Sequence, residues 1–312
     1  MRTKVVIIGS FNIDMVSKAP HLPRPGETVL GGPFVMVPGG KGSNQAICAS
    51  RLGAEVYFVG CVGNDTFGEI AKNNFKRERI NVDYLEVSSE THTGVALIVV
   101  DEKSGENMIV VAPGANMKVT KKTIDNAIEI IKDADVILTQ FEIPIETVEY
   151  VVKVVKNIKK PKLILNPAPA REVNPHIWED IDLITPNRSE LEAISGITIE
   201  SRDDIERAVE KVISLGVKNV VVTLGKEGAL VVNKEKSIYV PSFKVDAVDT
   251  TGAGDAFNGG LAVALAEGKD LEEAVYFANA VAGLKVKRLG ASSMPYREEV
   301  ENFLKETGEA LF

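Results

Sequence analysis

Short runs of Val and Ile alternate along this chain with longer stretches in which apolar residues return every three or four positions. The short runs, at 4–9, 55–60, 135–139, 162–166, 182–185, 219–224 and 228–232, predict strands buried on both faces. The longer stretches, at 42–52, 66–79, 120–132, 146–157, 202–215, 254–267 and 270–286, predict helices with one apolar side. Such alternation implies an α/β fold with a mostly parallel central sheet flanked by helices. Ligands of such sheets bind beyond the carboxyl ends of the strands, so chemistry is expected in the loops that follow them.

Two stretches break the rhythm. Residues 93–111 read as a hairpin, Thr93 to Asp101 and Asn107 to Val111, around a polar turn that contains a glycine. Residues 11–35, rich in Pro and Gly, have no helical period. Together they predict a small β-sheet appendage over the active end. An apolar sheet face left uncovered there predicts association with a second copy.

Composition narrows the classes. A length of 312 residues with 45% hydrophobic content suits one large α/β unit carrying an appendage. A net charge of −8 argues against a nucleic-acid or anionic-membrane surface, so a bound nucleotide must rely on backbone donors and a few local cations. The start is too short for a signal peptide and no apolar run reaches spanning length, which makes the cytoplasm the expected compartment. Cys48 and Cys61 form no C-x-x-C and read as buried free thiols. His21, His92 and His176 are too scattered to give much support to a histidine-ligated metal or a Ser-His-Asp triad. Glutamine is nearly absent, with only Gln45 and Gln140, while Lys and Glu abound, a balance found in proteins of hot environments.

The densest chemistry lies in Asp249-Thr-Thr-Gly-Ala-Gly-Asp255, which runs into an apolar helix. Gly252, Ala253 and Gly254 leave backbone N–H groups unpaired at a helix N-terminus, a setting for a phosphate or a developing oxyanion. Asp255 beside them is placed to take a proton from an attacking hydroxyl. A second glycine-rich loop, Pro38-Gly-Gly-Lys-Gly-Ser-Asn-Gln45, lacks the first glycine of a P-loop, since Val stands at 35. Its Gly40, Lys41 and Asn44 suit a small polyhydroxylated ligand. Asn12 and Asp14 share a side of an extended segment, and a carboxylate there can accept from vicinal hydroxyls. In Thr185-Pro-Asn-Arg-Ser-Glu190, Asn187 and Glu190 fit a helix cap and its box partner equally as well as a hydrated magnesium site. The turn from Thr223 to Gly228 and the strand-end residue Glu142 complete the candidates.

These pieces, with Asn-Pro-Ala-Pro-Ala at 166–170 and Pro-Gly-Glu-Thr at 25–28, resemble the ribokinase family, within the wider PfkB group of carbohydrate and nucleoside kinases, from end to end. The resemblance implies a single ribokinase-like α/β domain over 1–312, with a β lid from about 11–35 and 93–111 and a homodimer through the lid strands. It implies ATP-dependent phosphorylation of D-ribose at its 5-hydroxyl. Asp255 would be the base, with Gly252, Ala253 and Gly254 as the anion hole. Asn12, Asp14, Gly40, Lys41, Asn44 and Glu142 would hold the sugar. Asn187, Thr223, Gly225, Gly228, Gly254 and Asn279 would lie near ATP, and Glu190 would organise Mg2+ through water. An activating K+ would face Asp249, Thr251, Lys285, Arg288, Gly290 and Ser293, several of them through carbonyls. Position 285, small in the family, is Lys here, and the loop 290–295 is one residue short, leaving Ser292 as a rival of Ser293. A sibling kinase for a nucleoside, deoxyribose or another sugar is the alternative, with pocket size set by Ala96, Ile109 and Val111. A non-catalytic sugar sensor is the reading of another class.

Overall fold

A computed structural model describes residues 3–307 of the chain. In chain order, β1 (Lys4–Ile8) leads into β2 (Asn12–Ala19) and β3 (Gly32–Gly39), then α1 (Lys41–Arg51), β4 (Glu55–Gly63), α2 (Thr66–Arg77) and β5 (Asn81–Ser88). Next come β6 (Gly94–Asp101), β7 (Asn107–Ala112), α3 (Lys121–Asn126), α4 (Ile128–Asp133), β8 (Val136–Gln140), α5 (Ile145–Ile158) and β9 (Lys162–Asn166). The chain continues through β10 (Leu183–Ile184), α6 (Arg188–Ser195), α7 (Arg202–Ser214), β11 (Asn219–Thr223), β12 (Gly228–Asn233) and β13 (Ser237–Pro241). Three helices follow, α8 (Ala253–Ala266), α9 (Leu271–Lys285) and α10 (Arg297–Glu306).

Nine strands form the large sheet in the order β13-β12-β11-β10-β9-β8-β1-β4-β5. From β11 to β5 all neighbours are parallel, while β12 and β13 add antiparallel hairpins at one edge. Alternate residues of β1 feed opposite cores: Val5 and Ile7 pack with α1, α2, α8, α9 and α10, and Val6 and Ile8 with α3 to α7. That is why the central strands read as unbroken apolar runs.

The elements missing from the periodic reading lie at the margins. Strands β5 and β13 form the two sheet edges and alternate polar with apolar residues, because only part of each is covered. The expected helix at 120–132 is interrupted at Ala127, where a tighter Ala127 N–H to Ile124 carbonyl bond separates α3 from α4. Helix α10 buries only Val300, too little for an apolar period.

The second sheet has the order β3-β2-β6-β7, with β2 parallel to β6 and antiparallel pairs outside. Its register aligns Val37, Asp14, Ala96 and Val111 in one row across four strands, hence on one face. Pairing continues to Asn12 opposite Gly39, so this sheet extends past the expected boundary at 35, and β3 leaves only Gly40 before α1.

Candidate active site

Helix α8 starts behind Gly252, whose φ of 77° and tight fit exclude a side chain: a Cβ there would sit 2.4 Å from the Ala291 carbonyl oxygen. The Ala253 amide turns inward to Thr250 O at 3.1 Å, and that of Ala256 donates to Gly252 O. Among the described residues the Gly252 and Gly254 amides have no protein acceptor, so these two, rather than Ala253, are the open donors of the expected anion hole. Asp255, in the first turn, is 6% exposed. Asn44 donates to its Oδ2 at 3.0 Å and Gln45 to its Oδ1 at 3.1 Å. Burial drives the Asp255 pKa up, and the opposing pull of Lys41 and the two amides does not restore it. A fixed carboxylate with a raised pKa suits proton abstraction.

A chain of amides behind Asp255 escaped the sequence reading. Gln140, at the end of β8, donates to Gln45 Oε1 at 2.5 Å, and Gln45 Nε2 also reaches Asn166 at the end of β9. Asn166 donates to Thr185 O, the Thr185 hydroxyl to Asn258, and Asn258 to Gly254 O at 2.8 Å. The carboxyl ends of three parallel strands thereby fix the first turn of α8. The signal was present: the two glutamines of the chain are hydrogen-bonded to each other at this point.

On the other side of Asp255 lies the start of α1. Gly40, at φ 88°, lets the backbone pass against β2; a Cβ would come within 2.8 Å of the Asn12 nitrogen. Lys41 N–H donates to Glu142 Oε2 at 3.0 Å, and the Ser10 hydroxyl donates to the same oxygen. Gly42 and Ser43 amides go to Ser10. Glu142 thus serves as the cap of α1, a role its expected place among the sugar ligands did not include. Asn12 is buried with its Oδ1 taken by Asn116 at 2.8 Å. Asp14 and Asn44 remain: Asn44 Oδ1 is buried without a protein partner, and the Asp14 carboxyl, by burial and then by repulsion from Glu142 and Asp255, is pushed up to about 7. Lys41 is the counter-charge; burial lowers its pKa, but Asp255, Glu142 and Glu190 outweigh that and hold it above the usual lysine value.

Beyond Gly254 opens a cavity of about 800 Å³. Thr223, Gly225, Gly228, Gly254 and Asn279 line it, five of the six residues expected near a nucleotide. The sixth, Asn187, lies beside Thr223 through a backbone bridge. Asn279 spends its amide hydrogens on the carbonyls of Val240 and Pro241. Phe243, Val245, Ala282, Val286 and Phe303 add apolar walls that no motif announced, the first two from the segment after β13, which has no period, and the others from the end of α9 and from α10. Asn187 and Glu190 form a reciprocal capping box on α6, each backbone amide donating to the other's side chain at 2.9 Å. Burial raises the Glu190 pKa, with Asn187 and Lys41 pulling the other way. No group of three or more His, Cys, Asp or Glu side chains able to hold a metal occurs among the described residues.

The residues expected around potassium are together as well. Asp249 accepts from the amides of Thr251 (2.9 Å) and Gly290 (2.8 Å). These bonds and the Lys285 charge overcome burial and hold its carboxyl below the usual range. Ser293 Oγ donates to Gly290 O at 2.7 Å. Lys285, fully buried, points its ammonium at Asp249 O (3.1 Å) and Arg288 O (3.4 Å).

A family model described as pfkB family carbohydrate kinase matches residues 2–298. The chain is 43% identical to a ribokinase of Bacillus subtilis over 301 residues, 96% of this chain and 99% of the relative. It is 35% identical to a deoxyribokinase of Salmonella typhi, over 96% and 98% of the two chains. Its fold matches the Arabidopsis thaliana ribokinase complexed with ribose and ATP at a TM-score of 0.92 and 36% identity, covering 98% and 99%.

Proposed function

The chain belongs to the pfkB family of carbohydrate kinases, and on that premise we propose that it transfers the γ-phosphoryl group of ATP to the 5-hydroxyl of D-ribose, giving D-ribose 5-phosphate and ADP. One observation carries this reading. Asp255 stands between the carboxyls of Asp14 and Glu142, with Lys41 among them, and an open helix N-terminus that faces a cavity of about 800 Å³.

In this reading Asp14 and the free Asn44 oxygen accept hydrogen bonds from the sugar, and Lys41 bridges sugar and phosphate charge. Asn12, Gly40 and Glu142 complete the sugar pocket, and Asn12 and Glu142 also hold its shape through the bonds to Asn116, Ser10 and Lys41. Asp255 takes the proton as the hydroxyl oxygen attacks phosphorus. The Gly252 and Gly254 amides, with the positive end of α8, stabilise the equatorial phosphoryl oxygens. ATP lies in the cavity against Thr223, Gly225, Gly228 and Asn279, with Asn187 at its rim. The buried Glu190 carboxylate, whose Oε2 accepts from the Asn187 amide, would help to hold magnesium, which would supply neutralisation of phosphate charge. Potassium fits less well, because Lys285 already faces two of the carbonyls it would use.

The four-stranded sheet would act as the lid of the single domain. Phe34, Met36, Leu97, Met108 and Val110 alternate with the Asp14 row and are exposed, which favours a homodimer through that opposite face. No helix among the described residues is long and apolar enough to cross a membrane, and a cytoplasmic setting supplies the ATP.

The test is ADP release with D-ribose, 2-deoxyribose, fructose and adenosine in parallel. Preference for ribose is expected. Preference for deoxyribose or adenosine would keep the Asp255 chemistry and overturn the substrate. Sugar binding without turnover would make the chain a sensor.

A further inference from the structure

A lysine at the end of a helix ordinarily reaches back to its own last carbonyls from solvent. Lys285 ends α9 but does something else. Its side chain is fully buried, and its ammonium lies against carbonyls outside the helix, one in the loop before α8 and one in the loop after α9. Those loops are joined independently: Gly290 N–H donates to the Asp249 carboxylate, and the amides of Val248 and Asp249 both donate to Val286 O. Ala291 in turn packs against Gly252, the residue that begins the anion-binding turn.

A buried cation is expensive unless oxygens replace its water. Burial lowers the Lys285 pKa, and the Asp249 and Asp255 carboxylates offset that only in part, while the carbonyls of Asp249 and Arg288 take the place of water around the ammonium. This is the donor set that a weakly hydrated monovalent cation takes. An ammonium group carries the same charge as potassium and has nearly its radius, so the carbonyls serve either equally. They do not serve both, because a second cation against Asp249 O and Arg288 O would meet the first at close range in a buried site.

We propose that the Lys285 ammonium is a built-in monovalent cation that orders the 249–252 and 288–291 loops, so that this kinase needs no potassium. This rests on the reading of 249–255 as the anion hole of a sugar kinase. Lys285 is a positioning residue: it touches neither sugar nor nucleotide in this account and acts through the loop that carries Gly252. Being covalently attached, it occupies its site at any salt concentration.

The experiment measures turnover and thermal midpoint of the intact protein in choline chloride, then with KCl, NaCl or NH4Cl added at constant ionic strength. For the unmodified protein, potassium is expected to change kcat by less than about twofold and to leave the midpoint where it was. Lys285→Ala, and Lys285→Met as a variant that keeps the aliphatic packing, are expected to lose about tenfold or more in kcat with little change in KM for ribose. Potassium or ammonium ions should restore Lys285→Ala and raise its midpoint, a rescue that a packing role would not give. Potassium activation of the unmodified protein would overturn the proposal. So would a folded Lys285→Ala that keeps full turnover, or one that no cation restores. If no sugar is turned over, the thermal midpoints still report the cation site separately from the reaction.

Discussion

The starts of α1 and α8 look alike in sequence and differ in what they have left to offer. Each follows a glycine with positive φ, Gly40 or Gly252, and neither has a side-chain cap from that residue. At α1 the first amides are consumed: Lys41 by Glu142, Gly42 and Ser43 by Ser10. At α8 the Gly254 amide has no protein acceptor among the described residues, and the turn faces a cavity. One helix end is closed by the protein's own carboxylate, and the other keeps an unpaired amide beside a cavity. A glycine-rich loop before a helix therefore specifies geometry, and the surrounding strands decide whether it binds anything.

The largest break in this contrast is Asp255→Asn. It should leave sugar and ATP affinity close to normal by calorimetry while kcat falls about a thousandfold, as loss of a positioned base predicts. Near-normal turnover would remove Asp255 from the chemistry. Next, Gly252→Ala forces a side chain onto the Ala291 carbonyl and should disorder the open end, costing about a hundredfold in kcat. Steady-state kinetics with a folded, ATP-binding variant would check that the loss lies in catalysis.

A smaller, graded effect concerns pH. The Asp14 pKa is raised, so in the free protein its carboxyl stays protonated up to about 7 and must ionise to accept sugar hydroxyls. The value of kcat/KM for ribose should therefore rise with pH below that point, and Asp14→Asn should abolish most sugar affinity and make this limb shallower, leaving the part that belongs to ionisation of Asp255. The linkage has the opposite sign for stability. A raised folded pKa contributes stability that is complete below the ordinary carboxylate range and is lost as pH rises through about 7. The mildest test sharpens the closed end. Glu142→Ala uncaps α1 and should cost about 1 kcal/mol, lowering the thermal midpoint by roughly 1–2 °C. A large loss of sugar binding with no change in stability would instead make Glu142 a ligand.

Much of this was legible in the chain. Unbroken Val/Ile runs gave the central strands because both their faces are covered, and the glycine turn into α8 at 249–255 was visible because all its parts are local. What was illegible depends on distance. Glu142 caps an amide 101 residues away, and Gln140 reaches Gln45 across 95. No periodicity records such pairs. The edge strands β5 and β13 were missed for another reason, since a half-covered strand mixes polar with apolar residues and loses its contrast with a loop.

The amides behind Asp255 also bear on how long the molecule lasts. Asn and Gln side chains are among the most perishable in hot water, and this chain keeps both its glutamines, with Asn44, Asn166 and Asn258, in the buried heart of the site. Buried and hydrogen-bonded, they are screened from hydrolysis for as long as the chain stays folded. Each unfolding event exposes them, so the chemical lifetime of the catalytic apparatus is set by the unfolding rate.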